Sequence, residues 1–323
     1  MPDPSIGARW IESFTKPRKG AIDSFGKALG CAGEDAESMS KQPFHLDMPT
    51  CITGPVVVAS PHSGRDYDEE FLGATVLGGA DIRSSEDAYV DALLARVPQL
   101  GVPLLSARKP RAYLDLNRAA EELDPAVIQG MARGAPNARV SSGLGVIPRV
   151  VAQGRAIYSG KITQAEARHR IDTYWRPYHG QLAALLDAAA ERFGQAILLD
   201  CHSMPHEAIA PSGARGQTPE VVLGDRFGAS ASARITDALE DVFVDLGFRV
   251  ARNAPFAGAF VTQAYGRPGR NRHAVQIEID RALYLDEATL EPTADFDAIR
   301  NLLTEAVGKF CAGVAGSRDL AAE

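Results

Sequence analysis

Two of the seven histidines follow apolar runs that are typical of buried β-strands. The run "VVVA" leads into "SPHSG", which contains His62, and "AILL" leads into "DCHSMP", which contains His202. Parallel strands bring their carboxyl ends to one edge of a sheet, where ligands bind, so we expect the two imidazoles to meet there. A histidine in such a position can also be a hydrogen-bonded structural residue or a general base.

Two histidines and one carboxylate are a common ligand set for a catalytic zinc ion that keeps one position for water. Ligand bonds of about 2 Å require the two rings to lie within about 8 Å of each other. The carboxylate can come from Glu86 or Asp87 in "SSEDAYVDALL". Both acids also suit the first turn of a helix, where negative charge interacts favourably with the helix dipole.

A third polar position lies inside a strand pattern. In "HAVQIEIDRALY", polar residues at 276, 278 and 280 alternate with apolar residues at 275, 277 and 279. Glu278 is then a candidate general base that takes a proton from a metal-activated water. Ordinary alternation on a half-exposed edge strand is the alternative. Asp200, two residues before His202, is a candidate to orient that histidine without binding the metal.

Two arginine-rich segments indicate an anionic substrate, because the guanidinium group holds a carboxylate through paired hydrogen bonds. The segment "PRAYLDLNR" provides an amide, Asn117, beside its arginines. A surface salt bridge is the alternative for each arginine of this segment, and a solvated loop is the alternative for the later, glycine-rich segment "GRPGRNRH". The candidate arginines are Arg111, Arg118, Arg267, Arg270 and Arg272.

The elements that must position these residues alternate between strands and helices. The patterns predict strands at 56–59, 102–105, 112–116, 196–199, 221–224 and 275–279. They predict helices at 86–94, 162–193 with an interruption at Pro177, 229–246 and 294–313. This alternation predicts a largely parallel sheet covered on both faces. We expect residues 1–50 to be a loosely ordered extension and residues 51–323 to be a single catalytic domain.

Composition narrows the function classes. The 323 residues carry a net charge of −7, which argues against binding to nucleic acid or to an anionic membrane. No apolar run approaches the roughly 20 residues that span a bilayer, and the N-terminus lacks a signal-type apolar core, so we expect a cytoplasmic protein. The four cysteines form no metal-binding or disulfide pattern.

The ordered set of motifs resembles the N-formylglutamate amidohydrolase family. It covers about residues 52–290 and consists of "SPHSG", "SEDAYVDALL", "PRAYLDLNR", "GLGVIPR", "YHGQLAALL", "LLDCHSMP", "GDRFG" and "HAVQIEIDRALY". The resemblance implies a three-layer αβα sandwich with a mostly parallel mixed sheet, similar to zinc exopeptidases, and one catalytic zinc ion.

The resemblance also implies roles for individual residues. His62, His202 and Asp87 would bind zinc, Glu278 would be the general base, and the pair Asn117–Arg118 would hold a substrate α-carboxylate. One departure concerns the carboxylate ligand: carboxypeptidases use His-x-x-Glu, whereas the third residue after His62 is Arg65.

The function implied is hydrolysis of the amide of N-formyl-L-glutamate, or of a related N-acyl acidic amino acid, to formate and the amino acid. We expect Arg111 to share the developing oxyanion, and an arginine of the 267–272 segment to hold the side-chain carboxylate. The partner is then a small anionic substrate derived from an amino acid. Hydrolysis of another N-acyl amino acid or small peptide, and non-catalytic binding of anionic metabolites, are the alternatives.

Overall fold

A seven-stranded mixed β-sheet lies at the centre of the protein, of which the computed structural model describes residues 42–132, 137–209 and 218–319. The strands are β1 (Phe44–Asp47), β2 (Val56–Ser60), β3 (Leu104–Ala107), β4 (Ala196–Met204), β5 (Val221–Gly224), β6 (Val250–Arg252) and β7 (Arg272–Asp280). Their order in the sheet is β1-β3-β2-β4-β7-β5-β6. A separate two-stranded ribbon pairs β8 (Leu285–Asp286) with β9 (Glu291–Pro292).

The helices cover both faces of the sheet. They are α1 (Glu69–Ala74), α2 (Gly79–Arg83), α3 (Val90–Leu93), α4 (Ala138–Ser141), α5 (Gln164–Arg170), α6 (Arg176–Phe193), α7 (Ala233–Asp245), α8 (Phe260–Tyr265) and α9 (Phe296–Asp319). A π-helical turn, Ile171–Trp175, joins α5 to α6.

Alternate residues of the central strands enter two separate hydrophobic cores, because successive strand side chains point to opposite faces of a sheet. Val56 and Val58 pack in the core that contains α3, α7 and α9, whereas Val57 and Ala59 pack in the core that contains α5 and α6. The strands are therefore buried on both sides, which explains their continuous apolar sequences. The predicted αβα architecture is confirmed.

The four central strands β3, β2, β4 and β7 are mutually parallel. Strand β1 is antiparallel at one edge, and β5 is antiparallel to β7 on the other side. The carboxyl ends of the four parallel strands consequently meet at one edge, as predicted for the residues that follow β2 and β4. In the part of the chain that the structure describes, no helix is both long and apolar enough to cross a membrane.

Two predicted elements differ in the structure. Residues 112–116 form turns and not a strand: the N–H groups of Tyr113 and Leu114 donate to the carbonyl of Pro110. All five residues of this segment are nevertheless buried, and four of them are apolar, which produces its strand-like pattern. The helix predicted at 86–94 is confined to Val90–Leu93, because Tyr89 has a left-handed backbone conformation (φ 62°).

The beginning of the chain is only partly described. Strand β1 lies within residues 1–50, the segment predicted as an extension, and residues 1–41 lie outside the described residues. Phe44 and Leu46 of β1 pack against the core, whereas His45 and Asp47 are exposed. The described residues from Pro43 onward form one compact unit.

Candidate active site

The two predicted histidines lie side by side at the carboxyl edge of the sheet. His62 is two residues beyond the end of β2, and His202 is near the end of β4. Their ring centroids are 4.7 Å apart, and both residues are 2% exposed. The separation is well inside the 8 Å limit for two ligands of one ion.

Asp87 completes the cluster. Its N–H donates to the carbonyl of His62 at 3.1 Å, and this contact replaces the helical turn predicted there. Its Oδ2 lies 2.9 Å from Nδ1 of His202 and 3.4 Å from Nδ1 of His62. Glu86, the other candidate, contacts Arg83 and the hydroxyl of Tyr67 instead.

The donor set fits a divalent cation. One ligand atom from each of His62, Asp87 and His202 lies within 4.8 Å of the others. Nδ1 of His62 is buried and has no hydrogen-bond partner among the described residues, as expected of a ligand atom. Its Nε2 lies 2.7 Å from Oδ1 of Asp115, and Nε2 of His202 lies 3.1 Å from Oδ2 of Asp200. The Asp115 carboxylate holds the proton of His62 on Nε2 and leaves its Nδ1 for a metal.

Electrostatics around His202 favour positive charge. Burial opposes the imidazolium, but Asp200, Asp87 and Glu278 outweigh it and raise the pKa of His202 well above its usual range. Asp87 is buried too, yet the two histidines hold its pKa well below the ordinary value. A proton or a metal ion can provide the positive charge that this group of carboxylates requires.

Glu278 lies beside His202, because the two residues are paired in register between β4 and β7. It is 8% exposed, in a central strand and not in the edge strand of the alternative interpretation. Gln276 donates to its Oε1 at 2.7 Å. Burial, reinforced by Asp87 and opposed by His202, raises the pKa of Glu278 to about 7. A carboxyl group with such a pKa can accept and return protons near neutral pH.

Arg111, Asn117 and Arg118 reach the same place from the loop that follows β3. All three line a cleft of about 550 Å³, together with the histidines, Asp87 and Glu278. Nε of Arg111 donates to Oδ2 of Asp115 at 3.0 Å. The Asn117 side chain accepts from the N–H of Val261 at 2.8 Å.

Three predicted arginines lie elsewhere. Arg267, Arg270 and Arg272 do not line the cleft. Arg272 begins β7 and pairs with Ala196 at the start of β4, so about 20 Å of extended strand separates it from Glu278. It makes an ion pair with Asp187. The expectation that this segment holds the side-chain carboxylate is therefore corrected: the segment precedes β7, whereas the cleft is at the end of β7.

Two cleft arginines were not predicted as site residues. Arg281 is buried and donates to Oδ1 of Asp87 at 3.1 Å. Its position three residues after Glu278 was the signal that could have identified it. Arg139 is exposed at the cleft, and its guanidinium makes no hydrogen bond or ion pair to any residue that the structure describes. No motif around Arg139 marks it, because the fold alone brings α4 to the cleft.

A mixed, mostly parallel sheet between two helical layers, with a buried His–Asp–His cluster and an adjacent carboxyl group at its carboxyl edge, indicates the hydrolase class. A family model described as N-formylglutamate amidohydrolase matches residues 54–285. The chain belongs to this family.

Individual relatives agree with this assignment. The N-formylglutamate deformylases of Pseudomonas putida and Pseudomonas aeruginosa are each 28% identical over 236 residues, which is 72% of this chain and 82% and 83% of theirs. The crystal structure of N-formylglutamate amidohydrolase from Ralstonia eutropha JMP134 is similar with a TM-score of 0.80 and 36% identity, over 85% of this chain and 99% of that one. A gene product of Agrobacterium tumefaciens, 17% identical with a TM-score of 0.61 over 86% of this chain and 98% of its own, shares the fold.

Proposed function

We propose that the protein hydrolyses the amide of N-formyl-L-glutamate, or of a closely related N-acyl acidic amino acid, to formate and the free amino acid. The observation that carries this proposal is the convergence of His62, Asp87 and His202 beside Glu278 in a cleft that also contains arginines. The names of the two Pseudomonas relatives support this choice of substrate.

The proposed cofactor is one zinc ion held by His62, Asp87 and His202. Neutral imidazoles and a carboxylate are ligands that zinc prefers. When bound, zinc supplies a Lewis acid that polarises a carbonyl oxygen and acidifies water. Asp115 orients the imidazole of His62 through its Nε2 atom, and Arg281 holds the second oxygen of Asp87. The Asp200 carboxylate lies 3.1 Å from Nε2 of His202 and adds negative charge beside that ring.

Glu278 is the proposed proton carrier. Its carboxylate accepts a proton from the water that attacks the formyl carbon, and then gives the proton to the leaving nitrogen. Its burial supports this role, because a carboxyl group with a pKa of about 7 both accepts and releases a proton readily. Arg111, fixed by its contact with Asp115, shares the developing oxyanion, and such preorganised donors contribute about 3 kcal/mol.

The proposed substrate contacts use three further residues. Asn117 and Arg118 hold the α-carboxylate. Arg139 replaces the 267–272 segment as the group that holds the side-chain carboxylate. Arg139 is suited to this role because its guanidinium has no protein partner among the described residues and because it lies near Arg118, whose pKa is lowered by burial and by the charges of Arg111 and Arg139.

The test is steady-state kinetics on N-formyl, N-acetyl and dipeptide substrates, combined with metal analysis of protein purified without chelator. We expect about one zinc ion per chain and the highest kcat/KM for N-formyl-L-glutamate. A higher value for another N-acyl amino acid or peptide would favour the second hydrolase interpretation. Metal-free protein that binds anions without turnover would favour the non-catalytic interpretation.

A further inference from the structure

The loop of residues 113–118, which we call the site loop, is anchored by hydrogen bonds from the helical segment formed by α5, the π-helical turn and α6. Asp115, Asn117 and Arg118 belong to this loop. Three side chains of the helical segment donate hydrogen bonds to three of its carbonyl groups: Arg170 Nη1 to Tyr113 O at 3.1 Å, His179 Nε2 to Leu116 O at 2.9 Å, and Trp175 Nε1 to Arg118 O at 2.9 Å.

The π-helical turn explains how these three donors share one face. In an uninterrupted α-helix, Arg170 and Trp175 would be about 140° apart around the axis. The N–H of Arg176 donates to the carbonyl of Ile171, five residues earlier, so this turn contains one extra residue. The extra residue reduces the angle to about 40° and brings Trp175 and His179 toward the site loop as well.

The protonation state of His179 is consistent with its hydrogen bond to the carbonyl of Leu116. Burial lowers the pKa of His179 to about 3, so the ring is neutral and carries one proton. The carbonyl of Leu116 can only accept, so that proton is on Nε2. Nδ1 then accepts from the hydroxyl of Tyr265, 2.9 Å away. The Trp175 and His179 rings are 4.1 Å apart, and each also packs against Phe260.

The site loop is directly connected to the cluster at the sheet edge. Asp115 contacts His62, and the amide nitrogen of Asn117 lies 3.2 Å from Nε2 of His202. A shift of the carbonyl groups of Leu116 and Arg118 would move Asn117 and Arg118 relative to the cluster. Positioning errors on the order of 1 Å are costly in active sites.

We propose that Trp175 and His179 are positioning residues that set the recognition of the substrate α-carboxylate by fixing the backbone of Asn117 and Arg118. This inference rests on the proposed function, which assigns the α-carboxylate to those two residues. It gives a role to the "YHGQLAALL" motif, whose histidine lies away from the cleft.

The experiment measures discrimination between N-formyl-L-glutamate and its α-amide. Trp175→Phe removes the indole N–H and keeps an aromatic ring. We expect the preference for the α-carboxylate to fall about five-fold, the effect of losing roughly one hydrogen bond. In kinetics the loss should appear mainly in KM, with kcat within about two-fold. His179→Ala should reduce the preference further, and His179→Gln, which can still donate to Leu116, should restore part of it.

The control is Tyr174→Phe, which removes a hydroxyl from the adjacent residue of the π-helical turn and leaves the three carbonyl contacts in place. It should discriminate like the wild type. Calorimetric binding in the Glu278→Gln background makes the result independent of turnover. Equal discrimination in Trp175→Phe and wild type would overturn the positioning role. Wild-type protein that discriminates in binding but does not hydrolyse the formyl amide bond of N-formyl-L-glutamate would contradict the proposed function alone.

Discussion

Glu278 occupies an environment that is unusual for a carboxyl group. It is almost fully buried, with His202 opposite it on β4 and Gln276 as a hydrogen-bond donor. Burial destabilises the ionised form, and the nearby charge of Asp87 adds to this effect. The carboxyl group of Glu278 can therefore exchange a proton near neutral pH.

The substitution Glu278→Gln preserves shape and removes the base. We expect kcat to fall by 10²- to 10⁴-fold, the usual contribution of a positioned general base. Metal content should stay the same, because Glu278 is not among the three clustered ligand residues. Steady-state kinetics with metal analysis checks both expectations. Turnover within a few-fold of wild type would exclude Glu278 as the base.

The pH dependence follows from the same environment. A general base works in its ionised form, so kcat/KM should rise with pH until Glu278 is deprotonated. Its pKa is about 7 without a metal, and a bound cation would stabilise the carboxylate and lower that value. We therefore expect the acid limb of kcat/KM at or below about pH 7. The metal content must be constant over the range, and a limb above pH 8 would contradict the assignment.

Substitution of Arg139 tests the proposal that this arginine holds the side-chain carboxylate of the substrate. Arg139→Ala should raise KM for N-formyl-L-glutamate by about ten-fold, because a charge-assisted hydrogen bond contributes roughly 1.5 kcal/mol or more. An N-formyl substrate with a neutral side chain should be affected much less. Arg270→Ala is the matched control, since Arg270 is exposed and outside the cleft. A larger effect from Arg270→Ala would restore the original assignment.

A close backbone contact explains why the "SPHSG" motif ends in glycine. A Cβ on Gly64 would lie 2.2 Å from the carbonyl oxygen of Lys109, so the loop after β2 can only pass there without a side chain. The contact is between backbone atoms, and no rotamer change relieves it. Gly64 thus allows the His62 loop to lie against the residues that follow β3.

Gly64→Ala should lower the thermal midpoint by several degrees, because either the loop or the segment after β3 must move. Gly73→Ala is the control: Gly73 is in α1, and a Cβ there meets nothing within 4 Å. Alanine in place of a helical glycine is expected to be neutral or to stabilise by up to about 1 kcal/mol. Thermal unfolding of both variants measures the difference, and equal midpoints would contradict the steric argument.

The buried parallel strands were the elements that the sequence predicted best. Their continuous β-branched runs arise because helices cover both faces, and this relation places His62 and His202 at one edge. The loop at 112–116 and the short helix α3 were not predictable, since their conformations depend on tertiary contacts such as that between Asp87 and His62. The interruption predicted at Pro177 lies a few residues earlier, at the π-helical turn Ile171–Trp175, and Pro177 is in the first turn of α6.

The complete fold brings together ionisable residues that are far apart in the sequence. His62 and His202 are 140 positions apart in sequence, and Glu278 reaches them only because β7 lies beside β4. Arg139 shows the limit of sequence reasoning: its role depends on where α4 lies relative to the cleft, and no local pattern encodes that. The same limit applies to the 267–272 segment. Its composition suits an anionic ligand, but it does not show that the segment lies at the start of β7, away from the cleft.

The clustered ligands also connect metal binding to the stability of the whole domain. His62 and His202 meet only in the folded protein, so zinc should bind the folded state far more tightly than the unfolded chain. An ion at 1,000 times its Kd stabilises by about 4 kcal/mol, which should raise the thermal midpoint on the order of 10 °C. The shift should be larger at pH 8 than at pH 6, since the carboxylates that raise the pKa of His202 favour a proton, which the metal must displace. Chelated protein titrated with zinc measures this, and His202→Ala should lose most of the shift; an equal shift in that variant would place the metal elsewhere.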